Sequence, residues 1–286
     1  TAIIDRTDDW QLFIDFARST QWAADLCRRR KTIEQLRRDN RLAEIHPLLP
    51  ELRSFDDTCG EGFLACARPA GPTALDLVRS GVANGSVCRV ILDGLEPLHR
   101  LTGGHQVVSE EDVDRWIEEP VARLATLGRA SVANAEQLRR LLVDGFVGRV
   151  VDVGRIHGEL ALDNVVMSVE PLAMTGLLRW ERSSEMPVVV DRATLALIDL
   201  ALRGDAELGE IVTQLLVDPS RFEDHPAVTT DPDPSLPSRA VILLTWLSLV
   251  GRPLPAHRTM SSDMFWLARN AQPVLASLDP AVGLRS

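Results

Sequence analysis

The chain has 286 residues, 45% hydrophobic and 25% charged, enough for one two-lobed domain or two small ones with a sizeable core. A formal net charge of −10 argues against a general nucleic-acid binder, because affinity for a phosphate backbone needs a basic surface. The longest apolar run, 240–250, is too short to span a bilayer, and no signal peptide opens the chain, so no membrane association and a cytoplasmic location are expected.

Lys31 is the single lysine and tyrosine is absent, an arginine-weighted skew that suggests a GC-rich bacterial genome. Cys27, Cys59, Cys66 and Cys88 have no CxxC spacing and no companion His cluster. They read as reduced, mostly buried thiols.

In chain order, residues 1–20 contain one expected strand, 11–17. A helix follows over 21–39, with Trp22, Leu26, Ile33 and Leu36 on one face. Between residues 18 and 41 eight basic residues (Arg18, Arg28, Arg29, Arg30, Lys31, Arg37, Arg38, Arg41) stand against three acids (Asp25, Glu34, Asp39). This is a solvated helix face or a docking surface for an acidic partner. Residues 48–52 lead into a hairpin whose second strand is 62–67. Helices are expected over 82–102, 109–127 and 134–148, the second capped by Ser109 with Asp112 three residues on. An amphipathic helix is expected over 191–200. Four prolines between 223 and 238 mark an exposed loop. A buried helix over 239–250 and a final helix over 261–278 close the chain, and no internal repeat is present.

One stretch carries chemistry. Ile156-His157-Gly158-Glu159-Leu160 is an apolar strand end running into a His-Gly-acid-Leu turn, with Asn164 five residues after the acid. A second apolar strand then ends in Arg179-Trp180-Glu181. This resembles the catalytic loop and metal-binding segment of the aminoglycoside phosphotransferase and choline kinase family, which reads His-Gly-Asp-Leu-x-x-x-x-Asn and later Asp-Trp or Asp-Phe. The resemblance implies an α+β fold, two-lobed and protein-kinase-like, with a reduced N-lobe sheet over 1–68. A mostly helical C-lobe would occupy 69–286, carrying the degenerate catalytic loop at 156–181, with a hinge near 66–72. Leu98-His99 with Thr102-Gly103 also matches a helix ending typical of the family, where His99 packs structurally. Asp191 fits the place of an acid that braces the catalytic loop.

The same resemblance exposes what is altered. Phosphoryl transfer needs donors that cradle phosphates, a gripping cation, oxygen ligands for divalent metal, and a base that orients the acceptor hydroxyl. The first glycine is Gly60, so nothing upstream forms a glycine-rich cradle. Alignment puts Asp15 at the family's lysine position and Arg29 at its glutamate position, a charge-swapped pair that would hold helix to sheet and repel nucleotide. Asn164 remains as a remnant metal ligand, but Arg179 replaces the principal metal-binding Asp and is a candidate to neutralise Glu159. Glu181 is a conceivable substitute ligand. Glu159 stands where the base is Asp; its extra methylene displaces the carboxylate by more than about 1 Å, a misplacement that can cost about a hundredfold. His157 is the other remnant of the loop, expected to be hydrogen-bonded to backbone.

The resulting expectation is a pseudokinase: a non-catalytic binding or regulatory module with no cofactor. Its partner would be another protein, engaged through the basic 18–41 helix, or a sugar-like or aminoalcohol ligand. The alternative is a divergent, ATP- and Mg-dependent O-phosphotransferase acting on a sugar or aminoglycoside hydroxyl with Glu159 as base. A third reading gives the scaffold a different acid–base reaction through His157, Glu159 and Arg179.

Overall fold

A computed structural model describes residues 2–6, 10–17, 20–56, 62–126, 131–229, 235–251 and 260–278. In chain order the elements are β1 (Ala2–Arg6), β2 (Trp10–Phe16), α1 (Thr20–Arg38), β3 (Glu51–Asp56), β4 (Phe63–Pro69), α2 (Ala74–Arg79) and α3 (Asn84–Thr102). There follow β5 (Gly104–Val107), α4 (Glu110–Thr126), α5 (Val132–Phe146), β6 (Val150–Ile156), β7 (Val165–Ser168), β8 (Ala173–Leu177) and β9 (Ser184–Pro187). The remainder is helical: α6 (Val189–Gly204), α7 (Leu208–Val217), α8 (Ser220–Glu223), α9 (Pro226–Thr229), α10 (Ser238–Val250), α11 (Met260–Asn270) and α12 (Gln272–Ser277).

Two compact units emerge. The first is built chiefly from Thr1–Gly103 and Arg155–Glu185, the second from Gly104–Gly154, Met186–Leu254 and Arg258–Ser286. The first unit takes in α2, α3 and the loop that carries the candidate site together with the N-terminal strands and α1.

In the first unit an antiparallel sheet runs in the order β1-β2-β4-β3. Residues 1–20 therefore hold two strands where one is expected; β1 is a five-residue segment too short to show a period of its own. β2 alternates, so Gln11, Phe13 and Asp15 share one face, opposite Arg68, Cys66 and Leu64 of β4. Helix α1 covers that face. Trp22, Leu26, Ile33 and Leu36 recur at helical spacing and are all buried, with Trp22 and Leu26 in a core cluster with Ala17 and Leu64 that Leu52, Phe55 and Cys66 flank. After β4 the chain is pinned rather than loose. The Met167 N–H donates to the Pro72 carbonyl at 3.0 Å, and Thr73 bridges to Val166 of β7. Helix α2, absent from the sequence reading, starts with a reciprocal Thr73–Asp76 capping box.

The second unit is organised on α10. Every residue from 240 to 250 is buried, as a helix apolar all round requires, and α4, α5, α6 and α7 pack against it. Ser109 and Asp112 exchange the expected capping bonds at the start of α4. Two expectations need correction. The prolines of 223–238 do not make an exposed loop throughout: α8 ends at its first residue, α9 forms within it, and His225 is buried with its Nε2 donating to Asp199 Oδ2 at 2.9 Å. The final helix is also two helices, divided at Ala271 with Pro273 at the entry to α12, where a missing N–H costs nothing.

Among the described residues no helix is long and apolar enough to cross a membrane. Cys27, Cys66 and Cys88 are free thiols, as expected; Cys59 and Arg18 lie outside the described residues.

Candidate active site and its ion-pair cluster

The loop between β6 and β7 is held by backbone geometry before any side chain acts. Gly158 sits at φ +80°, and a Cβ there would lie 2.3 Å from the Arg182 carbonyl oxygen, so only glycine makes this turn without displacing the 180–182 segment. His157 is fully buried. Its Nε2 lies 2.6 Å from the Leu178 carbonyl, and its Nδ1 lies 3.4 Å from the Glu159 N–H. A carbonyl can only accept, so the proton sits on Nε2 and the ring faces the Glu159 N–H as acceptor. Trp180 stands edge-on to the imidazole, ring centroids 4.8 Å apart, and donates its indole N–H to the Leu177 carbonyl at 2.9 Å. Asn164 ties the two strands: its side-chain amide donates to the Glu159 carbonyl at 2.9 Å, and its backbone carbonyl accepts from Leu178 at 2.9 Å. His157 is therefore the backbone-bonded residue the sequence suggests.

The charged side chains form a cluster around Arg29. Its Nη1 donates to Asp15 Oδ2 at 2.6 Å, while Nε and Nη2 grip the Glu181 carboxylate at 2.8 and 2.9 Å. The expected Asp15–Arg29 pair is present, and the same guanidinium reaches Glu181 as well. The Arg29 side chain is 10% exposed and that of Glu181 9%, so this double pair is shielded from solvent. Burial alone would push Glu181 up; the adjacent Arg29 guanidinium overrides it and holds the carboxyl down at about 2. For Arg29, burial disfavours the charge, but Glu181 and Asp15 outweigh it and raise its pKa. Burial also pushes the neighbouring Cys66 thiol up to about 11, leaving it protonated and unreactive at neutral pH.

Arg179 and Glu159 require a correction. Arg179 does not neutralise Glu159: its Nη1 stands 3.9 Å from Glu181, a carboxylate that Arg29 already grips with two nitrogens. The residue facing Glu159 is Arg182, Nε to Oε2 3.3 Å. That contact is close enough for an ion pair yet too poorly aligned for a hydrogen bond, and Glu159 Oε2 is buried without one. The 3-10 turn Trp180–Arg182 swings Arg182 inward, and no spacing in the sequence announces this. Arg179 itself sits at φ 60°, ψ 62°, a left-handed conformation costly for a residue with a side chain. Asp191 is fully buried in the first turn of α6, and His99 is half-buried in the last turn of α3.

The sheet with its flanking helix, followed by the pinned β6–β7 loop and the 3-10 turn, is the architecture of the aminoglycoside phosphotransferases, the protein-kinase-like α+β fold. No protein-family model matches the chain, and no curated protein does. Solved structures do match. A putative aminoglycoside phosphotransferase from Ralstonia eutropha is similar with a TM-score of 0.52 at 12% identity, over 94% of this chain and 84% of that one. The GDP complex of a mutant aminoglycoside 2'-phosphotransferase-IIIa gives 0.52 at 12%, over 97% and 88%. Aminoglycoside phosphotransferase APH(2'')-Ib in its ADP-bound form gives 0.52 at 7%, over 96% and 93%. At these identities the likeness shows the fold.

Proposed function

We propose that this chain is a pseudokinase of the aminoglycoside-phosphotransferase fold, a binding or regulatory module that does not transfer phosphate. The observation that carries this reading is the Arg29 double ion pair with Asp15 and Glu181. Phosphoryl transfer needs a cation free to grip phosphates and oxygen ligands free to hold metal. Here the buried cation is spent on two carboxylates of the chain itself, and Asp15 presents negative charge from the strand.

The residues do not fit a divalent cation either. Asn164 turns its amide nitrogen to the Glu159 carbonyl, which leaves its side-chain oxygen as a single potential ligand, and one amide oxygen does not hold a divalent cation. Glu181 is saturated by Arg29, and Arg179 adds positive charge beside it. Among the described residues no three His, Cys, Asp or Glu side chains converge as a metal site. Function would then lie in binding a sugar-like or aminoalcohol ligand or, through the basic face of α1, a protein. On that face Arg28 and Arg38, and just beyond it Arg41, remain half or more exposed, although each pairs with an acid nearby in sequence.

One observation favours a second reading, a divergent small-molecule O-phosphotransferase. Glu159 keeps a carboxylate at the base's place in the loop, and although its Oε2 is buried against Arg182 the side chain as a whole remains 16% exposed, as a group that accepts a hydroxyl proton requires. A thermal-shift titration of the chain with ATP or GTP, with and without Mg²⁺ or Mn²⁺, separates the two. A ligand bound only by the folded state adds about 2.7 kcal/mol of stability at a hundred times its dissociation constant. The pseudokinase reading expects no metal-dependent shift at millimolar nucleotide. A metal-dependent shift, with transfer to an aminoglycoside or sugar that Glu159→Ala abolishes, establishes the second reading instead.

A further inference from the structure

The first unit contains a cavity of about 550 Å³ remote in sequence from the pinned loop, within the size range of small-molecule sites. It lies where the end of α1, the 3-10 turn Asn40–Leu48 and the beginnings of β2 and β3 meet the end of β4. Its lining is basic: Arg37, Arg53, Arg68 and His46 against a single carboxylate, Glu51, with the indole of Trp10 among the apolar walls. On a chain of net charge −10 a basic concavity is a local exception, and low-dielectric walls focus its field.

We propose that this cavity binds a small anion carrying adjacent phosphate or carboxylate groups. Three features point to such a ligand. The three arginines have donors to spare. Arg37 spends one terminal nitrogen on the Leu49 and Pro50 carbonyls, at 2.9 and 3.3 Å, and its Nε is buried without a partner. Arg68 spends one on Gln11 at 3.1 Å, its Nε is likewise buried and unpartnered, and burial lowers its pKa. The one acid is weakly committed: Glu51 pairs with Arg53 at 2.7 Å, but both side chains are more than half exposed, and such a pair is worth little and yields to a better acceptor. Finally, the guanidinium group as such matches the planar, bidentate geometry of phosphate and carboxylate, and three of them line this one concavity.

The test is titration of the whole chain with inorganic pyrophosphate in low-salt buffer, by calorimetry and thermal shift, without divalent metal. Saturable 1:1 binding is expected, weakening as salt rises. Arg53→Gln, at an exposed position, and Arg68→Gln should each weaken it about tenfold, the worth of one charge-assisted hydrogen bond. Arg37→Gln should do at least as much, provided circular dichroism shows it folded. Arg179→Ala should leave the affinity unchanged. The proposal is overturned by absence of binding at millimolar pyrophosphate. It is equally overturned if affinity survives in both Arg53→Gln and Arg68→Gln, or is lost only in Arg179→Ala.

Discussion

Arg29 illustrates why a buried charge is tolerated only with partners. Removing it takes from Asp15 and Glu181 the guanidinium they share in a shielded place, which costs about 3–5 kcal/mol. Arg29→Met should therefore destabilise the chain by that order in urea unfolding. Pairing the change with Glu181→Gln should recover part of the loss, because one of the two carboxylate charges disappears; strictly additive losses in this double-mutant cycle would mean that the two side chains do not interact. The site is legible in the sequence at just this level. Asp15 and Arg29 can be matched because the family resemblance assigns them to a paired strand and helix, both of which are regular elements here. Arg182 cannot, because it reaches Glu159 through a 3-10 turn whose course depends on Arg179 at positive φ. The misassigned partner of Glu159 follows from that: Arg179 is nearer the familiar motif position, but the turn points Arg182 inward.

At the scale of elements, two substitutions probe the supports. Gly158→Ala places a methyl on a left-handed backbone and within 2.3 Å of the Arg182 carbonyl oxygen, so about 1–3 kcal/mol should be lost. The 180–182 turn should shift with it, visible as a changed environment for Trp180. In the second unit Trp246 of α10 is fully buried and donates its indole N–H to the Asn270 carbonyl at 2.8 Å. Trp246→Ala should cost about 3–5 kcal/mol in chemical denaturation; a loss under about 1 kcal/mol would show that α10 does not anchor α11. Long periodic helices such as α1, α3 and α4 are legible because their apolar stripes repeat over several turns, and α10 because it is one continuous apolar run. The short pieces are less so. Helix α9 hides under a proline-rich composition that suggests exposure, and it is the tertiary pair of His225 with Asp199 that folds this stretch inward. The capping pair at Thr73 is a local signal for α2 that periodicity alone passes over.

For the whole molecule, acidification should act in two separable ways. With a sequence pI near 5.1, net charge vanishes around that pH and self-association is favoured while the fold is intact. Folding stability is governed instead by the buried carboxylates. Glu181 is held at about 2 in the folded chain against an ordinary 4.5, so the stability it contributes is fully present above about 4.5 and is lost as pH falls toward 2. Asp199 acts in the same direction in the second unit: burial opposes its ionisation, but the hydrogen bonds from His225 and Arg203 prevail and hold its pKa down. Light scattering should accordingly peak near pH 5 with the far-ultraviolet dichroism unchanged and the turbidity reversible on returning to pH 7. Below about pH 4, dichroism and the emission of the buried tryptophans should both be lost, and dilution or added salt should not restore them. Arg29→Met is the decisive control. Without the guanidinium that depresses Glu181, the variant starts less stable at pH 7 and loses less on acidification. Parallel stability curves for the two proteins between pH 5 and 3 would show that the Arg29 cluster does not set the acid limit of the fold.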